Sequence, residues 1–161
     1  MSTSPPDLPE SQPLLIGWKE YGDLPDLGIR RLKIKVDTGA RTSTLHVRSC
    51  RVLETLPDGT ERVELTIDPW RRHPDRSVIV EARVLRRIRV TDSGGHRETR
   101  PVIETELALG PVRKRILVTL SDRSGMLFRM ILGRKALEED FQVDVSRKYV
   151  LRRRSRAPRS E

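Results

Sequence analysis

The region between residues 14 and 151 repeatedly alternates apolar and polar side chains with a period of two, and this feature most constrains the fold. Such a period places successive side chains on opposite faces of a sheet. Aromatic residues make up only 4% of the chain, so Val, Leu and Ile must build the core, and they favour strands. The segments that alternate or run apolar as strands do are 32–36, 62–67, 77–84, 87–90, 101–109, 114–120 and 143–151.

Turn residues separate these segments at hairpin spacing. The stretches LPDGT (56–60), TDSGGH (91–96) and LGPV (109–112) combine Gly with Asp, Ser or Pro, as tight turns do. One segment, GRKALEEDF (133–141), has the spacing of an amphipathic helix, with Ala136, Leu137 and Phe141 on its inner side. We therefore predict an all-β fold, a small closed β-barrel with one short C-terminal helix.

The organisation is that of one domain between two tails. Residues 1–13 are rich in Pro, Ser and acidic side chains and are predicted to be a disordered N-terminal tail. Residues 152–161 are Arg-dense and are predicted to be a basic C-terminal tail, which leaves 14–151 as the folded domain. The N-terminal stretch lacks the pattern of a signal peptide, and no apolar run is long enough to span a bilayer. We expect a soluble cytoplasmic protein with no membrane partner.

The charge balance indicates an acidic partner. Lys and Arg number 32 against 23 Asp and Glu, a formal charge of +9. Nucleic acid, an anionic surface or an acidic peptide would each suit this excess, as would a merely solvated Arg-rich surface. The single cysteine, Cys50, cannot form a disulfide within the chain, which fits a reducing compartment.

An acidic residue interrupts the first predicted strand. In KIKVDTGARTSTLH (33–46) the alternation ends at Asp37, and Thr38, Gly39 and Ala40 follow. Thr can bond backbone groups locally, and Gly allows a sharp turn or a close approach. As structure alone, the tetrapeptide is an acceptable turn signal, and an Asp-Thr-Gly by itself is weak evidence of function.

A second element strengthens it, because in FRMILGRKALEEDF (128–141) an apolar run precedes Gly133, Arg134 and the predicted helix. The two elements together resemble the retropepsin aspartic peptidases. With GW (17–18), VTDSGGHRETRPVI (90–103) and FQVDVSRKYVL (141–151), the sequence more closely resembles a bacterial retropepsin-like family that has carried the label ATP-dependent zinc protease. The resemblance covers nearly all of 14–151.

The resemblance implies a homodimeric aspartic endopeptidase that assembles half of its site from each subunit. Asp-Thr-Gly occurs once, and the chain is too short for two such lobes, so a two-fold axis would set Asp37 against its copy. Paired carboxylates of aspartic proteases share one proton, so one activates a water and the other protonates the peptide group. The predicted catalytic residues are Asp37, Thr38 and Gly39, with the Thr38 hydroxyl bonding across the dimer; its alternative role is that of a plain turn residue.

A peptidase of this kind needs a flap, a hairpin that covers the bound substrate. In retropepsins the flap lies in sequence between the catalytic turn and the apolar-Gly element, and the hairpin of residues 88–103 lies there too. The candidate substrate contacts at its tip are Ser93, Gly94, Gly95 and His96. The hairpin at LPDGT competes for this role. An ordinary surface turn explains either of them.

The residue after Asp-Thr-Gly-Ala departs from the viral pattern. Retroviral members usually carry an acid there, facing the arginine of the apolar-Gly element, whereas this chain has Arg41 facing Arg134. We predict that Glu104 or Asp144 joins the two cations, or that an acidic substrate does. Two ordinary structural arginines are the alternative. With Ala40 these arginines complete the predicted substrate contacts, and the association of such proteins with glutamate-attaching ligases points to Glu-rich or oligoglutamate substrates.

The residues do not support zinc or ATP, since no zinc-protease, paired Cys-x-x-Cys or phosphate-loop motif is present. His46 and Cys50 are four apart but lie in a strand-like run, and His73 and His96 stand alone in the sequence. We predict no metal and no cofactor. A basic barrel that binds nucleic acid is the main rival, with a non-catalytic docking module as a third reading. We consider nucleic acid unlikely because Trp18, Phe128 and Phe141 are assigned to the core, which leaves few rings to stack on bases.

Overall fold

The computed structural model describes residues 12–91, 94–122 and 127–151, and within them the chain is dominated by strands. One 3₁₀ turn, Pro25–Leu27, and one short helix, α1 (Arg134–Leu137), accompany the strands. The strands are β1 (Leu14–Gly17), β2 (Lys19–Leu24), β3 (Ile29–Val36), β4 (Ser43–His46), β5 (Ser49–Thr55), β6 (Glu61–Ile67), β7 (Val78–Thr91), β8 (Arg97–Leu109), β9 (Val112–Ser121), β10 (Met130–Leu132) and β11 (Phe141–Asp144).

A closed six-stranded barrel forms the centre of the fold. Its strands run in the order β2, β3, β10, β4, β9 and β8, and β2 pairs with β8 through Asp23 and Ala108 to close the ring. Beyond β8 the same sheet continues outward through β7, β6 and β5. A separate two-stranded parallel sheet joins β1 to β11. The predicted all-β barrel with a short C-terminal helix is confirmed.

The core follows from the period-two pattern. On β3 the inward Leu32, Ile34 and Val36 are buried, while the intervening Lys33 and Lys35 are exposed. The other barrel strands contribute aliphatic side chains in the same way, and each buried Val, Leu or Ile stabilises the fold by about 1.5–3 kcal/mol. The last residue of β3 therefore has its inward face fixed by packing, and the chain reaches Asp37 in a defined orientation.

The predicted helix and last strand are only partly right. The helix is one turn, Arg134–Leu137, because Glu138 leaves the helical region and Glu139 adopts a φ of 71°. The final strand begins at Phe141 and ends at Asp144, so the prediction of strand through 151 is wrong. Segments 77–84 and 87–90 form one continuous strand, β7.

Five strands were missing from the predicted strand segments: β1, β2, β4, β5 and β10. In β2 a carboxylate and a glycine occupy the inward positions, so an apolar alternation is absent from its sequence. The inward carboxylate is Glu20, whose side chain is fully buried. Its oxygens accept hydrogen bonds from the backbone N–H groups of Gly17 (2.7 Å), Val150 (2.9 Å) and Leu151 (3.2 Å). This buried acid fastens the end of the domain to the barrel.

Gly17 is needed for the same junction. A Cβ at this position would lie 2.5 Å from the carbonyl oxygen of Arg147. The neighbouring N–H of Trp18 donates to that same carbonyl at 2.8 Å. The Gly-Trp pair noticed in the sequence is therefore explained by close packing against residues 147–151.

The predicted tails lie almost entirely outside the described residues, since only residues 12 and 13 of the first and none of the second are described. Within the described part of the chain, no helix has the length and apolar character needed to cross a bilayer.

Candidate active site

Strands β3 and β10 bring the Asp-Thr-Gly-Ala turn and the apolar-Gly element side by side. The two strands are parallel neighbours, with Val36 in register with Leu132. At the end of β3 the Asp37 N–H donates to the Leu132 carbonyl at 2.9 Å, which continues the ladder by one bond. The two sequence elements that carried the resemblance are thus in direct backbone contact.

The turn itself is held by the aspartate. The Gly39 N–H donates to Asp37 Oδ1 at 3.0 Å, and the Ala40 N–H donates to the Asp37 carbonyl at 3.2 Å. Asp37 is partly buried, whereas Thr38 and Gly39 are exposed. The carboxylate therefore has a fixed position at the surface of a single subunit.

Gly133 allows the close contact between the two elements. A Cβ there would lie 2.5 Å from the carbonyl oxygen and 2.6 Å from the carbonyl carbon of Thr42, and 3.0 Å from the Ala40 oxygen. Only glycine fits without displacing this backbone. Its N–H donates to the buried Ser43 hydroxyl at 3.1 Å, a tether that the sequence analysis missed.

Two more backbone bonds complete the junction. The Arg134 N–H donates to the Ala40 carbonyl at 2.8 Å, and the Lys135 N–H donates to the Arg41 carbonyl at 3.1 Å. The start of α1 thereby fixes the residues that follow Asp-Thr-Gly. The turn is stabilised mainly by backbone and small side-chain contacts, which leaves its charged side chains available for other partners.

The predicted acid between Arg41 and Arg134 is wrong for both candidates. Glu104 lies 3.6 Å from Arg115, and Asp144 accepts a hydrogen bond from Ser146. The Arg134 guanidinium instead donates to the Thr38 carbonyl at 3.0 Å. Within the described residues, neither Arg41 nor Arg134 forms an ion pair, and both are exposed.

The outward face of β3 carries positive charge toward Asp37. Because side chains two residues apart share a face of a strand, Lys33 and Lys35 both lie on the outward face of β3, and the strand ends at Val36, directly before Asp37. Lys19 of β2 is in register with Lys35, which adds a third cation. The sequence showed this alternation, but its relation to the aspartate required the strand pairing.

The hairpin of residues 88–103 joins β7 to β8, with Thr91 in register with Arg97. At its tip Gly94, Gly95 and His96 are exposed, and Gly95 has a φ of 83° that suits glycine. Ser93 lies outside the described residues. The role of these tip residues as a cover over the Asp37 turn stays a prediction.

The rival hairpin between β5 and β6 is braced at its tip. Asp58 accepts hydrogen bonds from the N–H and hydroxyl of Thr60, and Arg83 of β7 pairs with the same carboxylate. This anchoring fits a static turn and favours 88–103 as the flap.

A groove of about 730 Å³ lies beside the outward faces of β2 and β3, and none of the predicted site residues that the structure describes lines it. Its walls include Tyr21, Trp70, Phe128 and Tyr149. The prediction that Trp18 and Phe128 belong to the core is wrong: both are only partly buried and pack edge to face at 6.3 Å. Phe141 is buried, as predicted. The sequence signal for the groove was Trp-Arg-Arg at 70–72, between two prolines.

The isolated histidine and cysteine show no sign of catalysis. Burial, with a further contribution from the Arg129 charge, lowers the pKa of His46. Burial raises the pKa of the Cys50 thiol, so the thiol stays protonated at neutral pH. Across 12–91, 94–122 and 127–151, no three His, Cys, Asp or Glu side chains cluster as metal ligands would.

Known proteins share both the sequence and the fold. The model of the RimB-like family, described as "Retropepsin-like aspartic endopeptidase RimB", matches residues 15–154. A solved structure from Legionella pneumophila, of a protein of unknown function, superposes with a TM-score of 0.70 at 24% identity, covering 86% of this chain and 98% of that one. This likeness shows the barrel fold.

Three relatives carry the name "Probable alpha-L-glutamate ligase". The relative from Desulfotalea psychrophila is 37% identical over 132 residues, which is 81% of this chain and 28% of the relative. The relative from Parasynechococcus marenigrum is 35% identical, over 81% of this chain and 28% of the relative. The relative from Shewanella pealeana is 32% identical, over 85% of this chain and 30% of the relative. The chain thus spans less than a third of the length of these relatives. With the family match over almost the whole described domain, the chain belongs to the RimB-like family of retropepsin-like aspartic endopeptidases.

Proposed function

We propose that the protein is an aspartic endopeptidase that works as a homodimer and cleaves acidic, Glu-rich peptides. The observation that carries the proposal is the Asp37 turn, which is bonded to Leu132 and packed against a glycine that tolerates no side chain. A turn held this tightly presents its carboxylate in a reproducible position, as catalysis requires.

The proposed chemistry uses one Asp37 from each subunit. One carboxylate takes a proton from a water held between the pair, and the oxygen of that water adds to the peptide carbonyl carbon. The protonated partner supplies a proton to the peptide group, and the C–N bond breaks to give a carboxylic acid and an amine. Two like charges at short range keep one proton between them, so both protonation states are present together.

Dimerisation is supported by the incompleteness of the single site. The Asp-Thr-Gly sequence occurs once, and its Thr38 and Gly39 are exposed in the isolated subunit. A two-fold axis beside this turn would bury it and bring the second carboxylate. In this arrangement the Thr38 hydroxyl would bond across the axis, and the 88–103 hairpin would cover the substrate.

An acidic substrate is supported by the cations around Asp37. Lys35 lies two residues before Asp37 on the exposed face of β3, and Arg41 and Arg134 flank the Asp37 turn without ion pairs to described carboxylates. Arginine and lysine in such positions favour carboxylate side chains, and arginine can bind them with two parallel hydrogen bonds.

The relatives named as glutamate ligases point in the same direction, since a ligase that adds glutamates makes the polymer that this peptidase would shorten. The same relatives favour a second candidate, a non-catalytic module that holds an acidic tail for such a ligase. Both candidates bind glutamate polymers, and they differ in whether the polymer is hydrolysed.

Mass-spectrometric analysis of a Glu-rich peptide incubated with wild-type protein or Asp37→Asn separates these candidates. We expect cleavage by wild type and none by the variant, while both bind the peptide. Asp26→Asn, which removes a partly exposed carboxylate beside Arg115, is the matched control and should cleave normally. Equal cleavage by Asp37→Asn, or binding by wild type without hydrolysis at any pH from 4 to 8, would contradict the proposal.

A further inference from the structure

Among the described residues, the groove beside β2 and β3 is lined by eight Lys and Arg side chains and by no Asp or Glu. The lysines are Lys19 and Lys33. The arginines are Arg30, Arg31, Arg71, Arg72, Arg76 and Arg129. So many like charges around one concave surface repel each other, and an anion bound there would relieve that repulsion.

Several arginines elsewhere in the fold form ion pairs with carboxylates. Arg48 pairs with Asp68 at 2.7 Å, Arg115 with Asp26 at 2.7 Å and Arg62 with Glu81 at 2.8 Å. Within the described part of the chain, none of the six groove arginines forms an ion pair, and the buried Nε of Arg129 has no hydrogen-bond partner. Within the described residues the groove arginines thus lack a carboxylate at ion-pair distance, whereas Arg48, Arg62 and Arg115 each have one.

Aromatic rings accompany these cations. Tyr21 and Tyr149 stack with ring centroids 4.8 Å apart and an angle of 17° between the rings. The Trp70 indole N–H donates to the Arg30 backbone carbonyl at 2.9 Å, which fixes the ring against the start of β3. Phe128 contributes a fourth ring to the wall. Arg31 lies over Tyr21 at 5.5 Å, and Lys19 lies over Tyr149 at 5.2 Å and over Phe128 at 5.9 Å, so groove cations already contact three of these rings. Aromatic rings that line a basic groove are surfaces on which bases can stack.

The groove is remote from the proposed catalytic turn. Lys33, the groove residue of β3 that is nearest to Asp37 in sequence, precedes it by four residues, which corresponds to about 13 Å at the usual strand rise. A ligand in the groove would therefore lie outside the reach of the Asp37 carboxylate.

We propose that this groove binds a single-stranded segment of nucleic acid, with phosphates on the arginines and bases against the rings. An oligoglutamate chain would use the cations but would gain nothing from the four aromatic rings, so the rings favour the nucleic acid. The groove volume lies within the range of ligand sites. Nucleic acid was considered unlikely because Trp18, Phe128 and Phe141 were assigned to the core, but of these three only Phe141 is buried.

Fluorescence anisotropy with a fluorescein-labelled 12-nucleotide oligouridylate tests the proposal over a series of salt concentrations. We expect binding to the full chain and to Asp37→Asn alike. Arg71→Ser/Arg72→Ser changes two exposed loop arginines. It should reduce the slope of log K against log salt by about 1.4, since each phosphate contact on a single strand contributes about 0.7. Phe128→Ala should weaken binding by about fivefold or more with an unchanged slope.

The control variant is Arg62→Ser/Arg83→Ser, which removes the same charge beside the 56–60 hairpin turn at the opposite end of β6. It should bind the oligonucleotide as wild type does. The proposal is overturned if this control loses as much affinity as Arg71→Ser/Arg72→Ser. It is also overturned if a labelled oligoglutamate of equal charge binds as tightly as the oligonucleotide, if uridine monophosphate competes as well as the 12-mer, or if no binding occurs at low salt. Because the readout is binding, failure here leaves the peptidase proposal standing, and loss of peptidase activity leaves this one standing.

Discussion

Replacing Gly133 by Ala tests the geometry of the candidate active site most severely. The new methyl carbon would start 2.5 Å from the Thr42 carbonyl oxygen, whereas ordinary contact begins near 3.4 Å, so the two chain segments must separate by about 0.9 Å. Overpacking of this kind costs about 1–3 kcal/mol. The separation also weakens the bonds from the Gly133 N–H to Ser43 and from the Arg134 N–H to Ala40, at about 1 kcal/mol each.

The expected total is about 3–5 kcal/mol, a large share of the roughly 5–15 kcal/mol that stabilises a domain. In a thermal melt this corresponds to a fall of roughly 10 °C. A displacement of this size at the Asp37 turn should also reduce peptide cleavage by about a hundredfold in the protein that remains folded.

Gly59→Ala is the matched control, because Gly59 has a φ of 87° but open space around its Cβ position. Its free energy of unfolding should fall by only about 1–2 kcal/mol, the cost of a left-handed backbone conformation for a residue with a Cβ. Thermal unfolding and urea titration of both variants measure the difference. If Gly133→Ala proves as stable as Gly59→Ala, the close packing of the apolar-Gly element against the Asp37 turn is refuted.

Three further predictions concern other parts of the chain. Glu20→Gln replaces a carboxylate that accepts from three buried backbone N–H groups by an amide with only one acceptor oxygen, so the free energy of unfolding in urea titration should fall by about 2–4 kcal/mol. Glu64→Gln on the outer sheet should lower it by under about 1 kcal/mol. Equal losses would contradict the role of Glu20 in joining residues 150 and 151 to the barrel. Burial holds the pKa of His46 below its ordinary 6.5, so near this pH the unfolded chain binds a proton at His46 more readily than the folded chain does. The free energy of unfolding should therefore fall as the pH drops below about 6.5. A His46→Gln variant should lose less stability than wild type between pH 7 and 5, and parallel curves would show that His46 is not the cause. Arg134→Ala removes the guanidinium that holds the Thr38 carbonyl, so cleavage should drop about tenfold while the melting temperature changes little, and unaltered cleavage would exclude that positioning role.

The barrel and the junction at Asp37 were accessible from the sequence because both depend on local patterns. Alternation on β3 set its buried face, and the family resemblance joined the Asp37 turn to the apolar-Gly element. The close backbone contact at Gly133 came from the structure. Strand β2 was not predicted because the burial of its Glu20 depends on a tertiary contact. The Glu20 carboxylate accepts hydrogen bonds from the N–H groups of Val150 and Leu151, which are far away in sequence. No window of neighbouring residues contains that information.

The side-chain partners of charged residues were the least accessible feature. Glu104 and Asp144 were reasonable bridges for Arg41 and Arg134, yet the fold brings Arg115 to one and Ser146 to the other. The groove was missed for a related reason. Its aromatic and basic residues come from five distant stretches of chain, and Phe128 reads as a core residue until the strands around it are placed.

Activity of mixed subunits tests the central claim, that two copies of Asp37 form one site, most directly. Wild-type and Asp37→Asn chains would be refolded together at constant total concentration, and peptide cleavage would be measured against the wild-type fraction. A shared site predicts that activity follows the square of that fraction, so an equal mixture retains about one quarter of the wild-type rate. A linear dependence, with about one half retained, would show that each subunit acts alone and would contradict the account.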